Sequence, residues 1–136
     1  MQATDISTLL VDDNTTFLNV VFGVLRQVAG VQVVGCARDG LEALELVFNL
    51  RPELILLDLS MPRLGGLELA TRLVALPTPP TIIILSMHDS DAYRQAAQRA
   101  GAAAFVNKDN FMAELVPLLE SLISDRQQRQ QKEANP

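Results

Sequence analysis

The chain has one cysteine, Cys36, one histidine, His88, and no tryptophan. A lone thiol cannot close an internal disulfide, so the core must hold the fold and a reducing, cytoplasmic setting is expected. So little His and Cys also leaves zinc without its usual donors. Cations are in short supply: eleven Lys and Arg stand against sixteen Asp and Glu, for a formal charge of −5 and a pI near 4.7. Binding to nucleic acid relies on clustered cations that neutralise phosphates, so no direct contact with nucleic acid is expected. Long apolar runs are missing as well. Stretches such as Leu54–Leu57 and Thr81–Leu85 fall far short of the ~20 residues that a membrane span needs. The opening MQATDISTLL has no basic segment followed by an apolar run and a small-residue cleavage site, so it does not read as a secretory signal. What is present is 136 residues, 49% apolar and 20% charged, enough for one domain that buries roughly two-thirds of its unfolded surface.

Short apolar runs alternate with longer segments of helical spacing, the pattern of strand–helix units around a parallel sheet. Five strands are expected at Ser7–Val11, Val31–Cys36, Leu54–Leu57, Thr81–Leu85 and Ala103–Val106, each apolar enough to be covered on both faces. Helices are expected at about 15–29, 40–50, 66–75, 90–100 and 111–124. In the first, Phe17, Val20, Val21, Val24, Leu25 and Val28 form the stripe that faces the sheet. Asp39 followed by Glu42 fits a capping box, while Gly30 and Gly101 fit helix exits. Pro52 and Leu76–Pro80 break helices ahead of the third and fourth strands. Pro117 falls inside the last helix, which must kink there or start later. The remainder, residues 125–136 (DRQQRQQKEANP), reads as a polar tail, a linker or a helical extension beyond a domain of residues 1–124.

In open parallel sheets the working groups gather at the carboxyl ends of the strands. Asp12 and Asp13 follow the first strand, Asp58 the third, Ser86 the fourth and Lys108 the fifth. With strand order 2-1-3-4-5, Asp58 is central, flanked by Asp12 and Asp13 on one side and by Ser86 and Lys108 on the other. Like charges 4 Å apart repel by about 4 kcal/mol per pair at an effective dielectric of 20, so three carboxylates ask for a cation. All-oxygen ligands suit Mg2+, or Mn2+ in its place. Asp58 is then placed to act as a nucleophile towards phosphorus, with Mg2+ and Lys108 offsetting charge on the phosphoryl oxygens and Ser86 donating a hydrogen bond to them.

The ordered set VDD, LLDLSMP, LSMHD and FVNKD resembles the receiver domain of bacterial two-component response regulators across residues 5–124, with a lean towards the NarL/FixJ type. The fold expected is thus α/β, a flavodoxin-like doubly wound (βα)5 with five parallel strands in order 2-1-3-4-5. The resemblance implies Asp58 as phosphoacceptor, Asp12 and Asp13 as metal ligands and the backbone carbonyl of Ser60 as a further metal contact. It implies Ser86 as switch hydroxyl, Lys108 as the family's lysine and Phe105 as the aromatic that turns inward when the hydroxyl moves. Partners implied are a histidine kinase or histidine phosphotransfer protein as donor and an output domain or protein target, with a phosphorylation-dependent homodimer as one outcome. A NarL/FixJ-type output would be a helix-turn-helix domain; none follows in this sequence, and the Arg/Gln-rich end resembles the start of a linker. Asp109 stands where many receivers have proline, and Phe105 has no hydroxyl, so its part in a switch is steric.

Blander readings stand beside these. Asp12 also suits a cap for the next helix, Ser86 a strand-end hydroxyl and Phe105 a core aromatic. His88 reads as an exposed loop histidine, against the sharper idea that Ser60 and His88 flank the path of the attacking water and tune the aspartyl-phosphate lifetime. Met87 is expected to narrow access to Asp58, and Cys36 to be a small buried hydrophobe. Two other functions compete. A phosphorylation-independent docking module would not need the acidic set. A haloacid-dehalogenase-type phosphatase would carry DxD after the first strand, where this chain has VDDNT, and a cap domain. No multiple-turnover enzyme is therefore expected.

Overall fold

Strands β1 (Ile6–Val11), β2 (Val31–Ala37), β3 (Leu54–Asp58), β4 (Thr81–Ser86) and β5 (Ala104–Asn107) form one sheet in the computed structural model, which describes residues 5–134. All pairings are parallel and the order is β2-β1-β3-β4-β5. Helices α1 (Thr15–Leu25), α2 (Gly40–Leu50), α3 (Gly66–Val74), α4 (Asp91–Arg99) and α5 (Phe111–Ala134) follow the strands in turn, with a 3-10 turn at Lys108–Asn110 before α5. This is the doubly wound five-unit fold expected from the strand pattern.

Side chains that alternate along each strand enter two separate cores. Leu9, Val11, Ile55, Leu57, Ile82 and Ile84 meet α2, α3 and α4 through residues such as Val47, Leu69 and Ala97. Leu10, Leu54, Leu56, Ile83 and Leu85 meet α1 and α5 through Leu18, Val21, Leu115 and Leu119. Continuous burial in β3 (every residue from Leu54 to Asp58) is what central parallel strands require. The registers then level the strand ends. Val11 pairs with Leu57, Asp58 with Leu85 and Ser86 with Asn107, so the residues just past each strand collect on one rim.

Several expectations need correction. The first helix ends at Leu25 rather than at 29, because the amides of Gln27 and Val28 turn back to the carbonyls of Val24 and Leu25 in a tighter turn. Gly30, at φ 101°, is therefore not a helix exit but the corner that leads into β2, where its carbonyl accepts from Ile6 N–H at 2.8 Å. Val20 points away from the sheet, 46% exposed, and Leu18 takes its place on the buried stripe. Cys36 is exposed rather than buried, since β2 is an edge strand whose pairing shifts register between Thr8 and Leu9. Partial desolvation, then the nearby Glu42 charge, push its thiol pKa up, so it is no thiolate. The expected capping box is half formed: Asp39 Oδ1 accepts from Glu42 N–H at 2.9 Å, but Glu42 reaches the amide of Arg38, not that of Asp39.

The last helix neither starts late nor ends at 124. It begins at Phe111, passes through Pro117 and runs to Ala134. Pro117 removes one rung, which the flanking packing of Leu115 and Leu119, both fully buried, offsets. Beyond Ser124 the helix is polar, and Arg126 forms an ion pair with Glu53 at the start of β3. Residues 1–4 and 135–136 of the expected domain and tail lie outside the described residues.

Candidate functional site

β1 carries its ladder one residue past the strand, because Asp12 N–H donates to the Ala37 carbonyl at 3.0 Å. Asp12 Oδ1 accepts from Asn14 N–H at 2.9 Å, and Asn14 caps α1 by accepting from Phe17 N–H at 3.0 Å. The helix is thus capped by Asn14, and Asp12 stiffens the turn before it while its other oxygen faces the Lys108 ammonium. Asp12 and Asp58 are buried and Asp13 is exposed at the mouth. One carboxylate oxygen from each of the three lies within 4.8 Å of the others.

Lys108 reaches this group from the far side of the sheet. Its Nζ is 2.7 Å from Asp12 Oδ2 and 3.1 Å from Asp58 Oδ1. The ammonium also lies over the Phe17 ring, 4.6 Å from its centroid, and Phe17 meets Phe111 edge to face at 5.3 Å. An aromatic face favours a cation, by about 0.5–2 kcal/mol depending on desolvation, so α1 and α5 together aim the lysine. The turn after β5 is set by Asn107 Oδ1, which accepts from Asp109 N–H at 2.8 Å. No peptide bond among the described residues is cis, and the Lys108–Asp109 bond is trans.

Burial is the main force on Asp58: it pushes the carboxyl pKa up, the Asp12 charge adds to this, and Lys108 opposes both without cancelling them. For Lys108, burial pulls the pKa down, but the hydrogen bond to Asp12 and the charges of Asp58 and Asp12 together prevail and raise it. One ammonium thus pairs with two of the three carboxylates, and Asp13 is not among its ion pairs. The oxygen donors left over, with no His or Cys beside them, fit a hard divalent cation such as Mg2+ and do not fit zinc.

Ser86, at the end of β4, is buried, and its Oγ accepts from His88 N–H at 3.0 Å. Phe105 is half-buried on the α2–α4 side of the sheet, packed against that core. Met87 and His88 are exposed, and the His88 ring stacks on Tyr93 at 5.3 Å. Ser60 is exposed in the loop between β3 and α3. Asp12, Asp13, Asp58 and Lys108 are therefore brought together, with Ser86 one strand over. His88 stands outside that group, and so does Phe105.

Some participants were not foreseen. Phe17, expected only on the sheet-facing stripe of the first helix, also carries the lysine. Arg94 of α4 lies over Phe105 at 4.7 Å and pairs with Asp89 through Nε at 2.6 Å and Nη2 at 3.0 Å. Asn107 Nδ2 donates to Asp89 Oδ2 at 3.0 Å. The Arg94 hydrogen bonds, followed by that from Asn107, hold the Asp89 carboxyl at about 2. An acidic residue just before a helix with an arginine one turn inside was the only local signal for this cluster.

A doubly wound parallel sheet with acidic, hydroxyl and lysine groups on its carboxyl rim defines a class of signalling domain, and comparison with known proteins gives the same class. The model of the response regulator receiver domain matches residues 8–120, and this chain belongs to that family. A Myxococcus xanthus protein-glutamate methylesterase/protein-glutamine glutaminase is 39% identical over 109 residues, covering 79% of this chain and 31% of that protein. The Mycobacterium tuberculosis protein named "Probable transcriptional regulatory protein NarL" is 36% identical over 105 residues, covering 77% and 49%. The solved signal receiver domain of NarL from Mycobacterium tuberculosis superposes with a TM-score of 0.81 at 32% identity, covering 88% of this chain and 97% of that one. The chain thus spans about a third to half the length of these curated relatives. No helix among the described residues is long and apolar enough to cross a membrane.

Proposed function

We propose that the protein is a phosphorylation-controlled switch in which Asp58 accepts a phosphoryl group from a phosphohistidine. An Asp58 carboxylate oxygen attacks phosphorus, the P–N bond breaks, and the imidazole departs with its electron pair, leaving an acyl phosphate on Asp58. Asp12, Asp13 and Asp58 would hold Mg2+, with Ser60 supplying a backbone carbonyl. When bound, the ion supplies charge neutralisation at the phosphoryl oxygens. Lys108 starts in ion pairs with Asp12 and Asp58 and moves its proton-bearing nitrogen to the new phosphoryl oxygens. Ser86 gives up the His88 amide to donate there, and Phe105 follows into the space vacated. Moving a two-state population from 1:99 to 99:1 needs about 5.5 kcal/mol, within reach of several charge-assisted hydrogen bonds.

The observation that carries this reading is the three-carboxylate group at the carboxyl ends of neighbouring strands, with one buried lysine bridging Asp12 and Asp58. Donors would be a histidine kinase or phosphotransfer protein. Residues 125–136 would lead towards an output domain or bind a target, consistent with the helix that runs through most of them. His88 and Ser60 would tune hydrolysis from the rim, and Met87 would limit entry of small donors. Incubation with acetyl phosphate and Mg2+ followed by phosphate-affinity electrophoresis is the test. A shifted band that disappears in Asp58→Asn supports the reading, and an unshifted wild type rejects it. Alanine at Ser60 or His88 should change the half-life of the shifted band.

A further inference from the structure

The segment joining β3 to α3, residues 59–65, leaves Asp58 and contains Ser60. Its two flanks are fixed by close backbone approach. A Cβ on Gly66 would come within 2.2 Å of the Asp58 carbonyl oxygen, so α3 starts hard against the acceptor's backbone. A Cβ on Gly40, the first residue of α2, would come within 2.3 Å of the Leu64 carbonyl oxygen. Between these points Leu64 N–H donates to the Pro62 carbonyl at 2.8 Å, closing a three-residue turn around Arg63, whose φ is 68°. That left-handed turn costs a non-glycine residue about 1–3 kcal/mol and persists only where the surroundings hold it. Asp39 supplies the hold. Its Oδ2 accepts from Arg63 Nε at 3.1 Å and Nη2 at 2.5 Å, while its Oδ1 caps α2. The cap from Glu42 N–H, followed by the hydrogen bonds from Arg63, pulls the Asp39 carboxyl pKa below the usual range.

We infer that Asp39 and Arg63 form a positioning clamp that ties the loop carrying Ser60 to the start of α2 and so prepares the acidic site for Mg2+. This rests on the proposed acceptor and metal roles of Asp58, Asp12 and Asp13. One carboxylate both starts a helix and holds a strained turn five residues after the acceptor, so the loop cannot relax without uncapping or unpairing. Glycine at position 63 would take the same turn at no steric cost. An arginine there is accommodated through its partner.

Three variants separate the clamp from general structure. Asp39→Asn keeps an N-cap of similar strength but loses the charge that binds Arg63. Arg63→Ala removes the guanidinium and keeps the strained φ, whereas Arg63→Gly removes both. Calorimetric titration with MgCl2 alone should show affinity about tenfold weaker in Asp39→Asn and Arg63→Ala, a typical size for losing support behind a metal ligand, and closer to the wild type in Arg63→Gly, where the turn carries no strain. The double variant Asp39→Asn/Arg63→Ala should be no weaker than either single change. Wild-type Mg2+ affinity in Arg63→Ala, with circular dichroism showing an intact fold, would overturn the clamp while leaving the acceptor reading in place. A wild-type protein that takes up no Mg2+ would overturn both. If Asp39→Asn does not fold, Arg63→Ala decides.

Discussion

Replacing Lys108 by methionine would leave the carboxylates of Asp12 and Asp58, both nearly out of water, facing each other without a cation. Removing one partner from a buried charge pair commonly costs about 3–5 kcal/mol. Lys108→Met should therefore melt well below the wild type in a metal-free thermal scan, and added Mg2+ should raise its melting temperature by more than it raises the wild type's. Asp58 carries the opposite sign. Burial and the Asp12 charge lift its pKa, so its neutral form is the one the fold favours. That contribution is present below the pKa of the unfolded chain and is lost as pH rises through the folded value, so at pH 7 the ionised group is a burden. Asp58→Asn should thus be more stable than the wild type without divalent ions, with the gap widening from pH 4 to pH 7. Each kcal/mol relieved corresponds to roughly 3–5 °C in a chain of this size. Equal melting points across that range would show that Lys108 balances the site fully.

Elements give a different set of tests. The segment between β4 and α4 is pinned by Asp89, which ties Arg94 to Asn107. A carboxyl with a depressed pKa keeps its hydrogen bonds until pH falls through the folded value. The Arg94 Nε–H and Asn107 side-chain NMR signals should therefore titrate with a midpoint of about 2. A midpoint near the ordinary aspartate value would mean that the pin is absent in solution. In α5, Pro117→Ala restores the donor to the Ala113 carbonyl and should stabilise the helix by about 1–3 kcal/mol, read from urea midpoints. Sequence served the elements unevenly. All five strands were legible because each is a short, mostly apolar run, continuous and fully buried in β3. The end of α1 was not, because Val28 is packed against the core without being helical, and apolar spacing reports burial rather than hydrogen bonding. The exposure of Cys36 escapes the pattern for a related reason, since a strand's apolar run does not say which of its side chains an edge leaves uncovered.

For the molecule as a whole, the acidic set and the lysine were readable because strand order alone brings Asp12, Asp58 and Lys108 to one rim. What shapes that rim was not. Phe17 under Lys108 joins residues 91 positions apart, and Arg63 meets Asp39 across 24, distances at which no local pattern announces a contact. The lower end of the molecule is tied more lightly. Glu53 engages Ser7 with one carboxylate oxygen and Arg126 with the other. Glu53→Ala should cost under about 1 kcal/mol, as exposed pairs do, yet speed amide exchange in residues 125–134 while leaving β1 and β3 protected.

Twenty-four residues of α5 make a rod about 36 Å long at 1.5 Å per residue, seated on the sheet only over its first half. A pivot of merely 5° about Leu115 and Leu119, too small to unpack either, would sweep the backbone at Ala134 through roughly 1–3 Å, depending on where the fulcrum sits. Subtle repacking beside Lys108 would in this way be geometrically amplified into an excursion as long as a hydrogen bond.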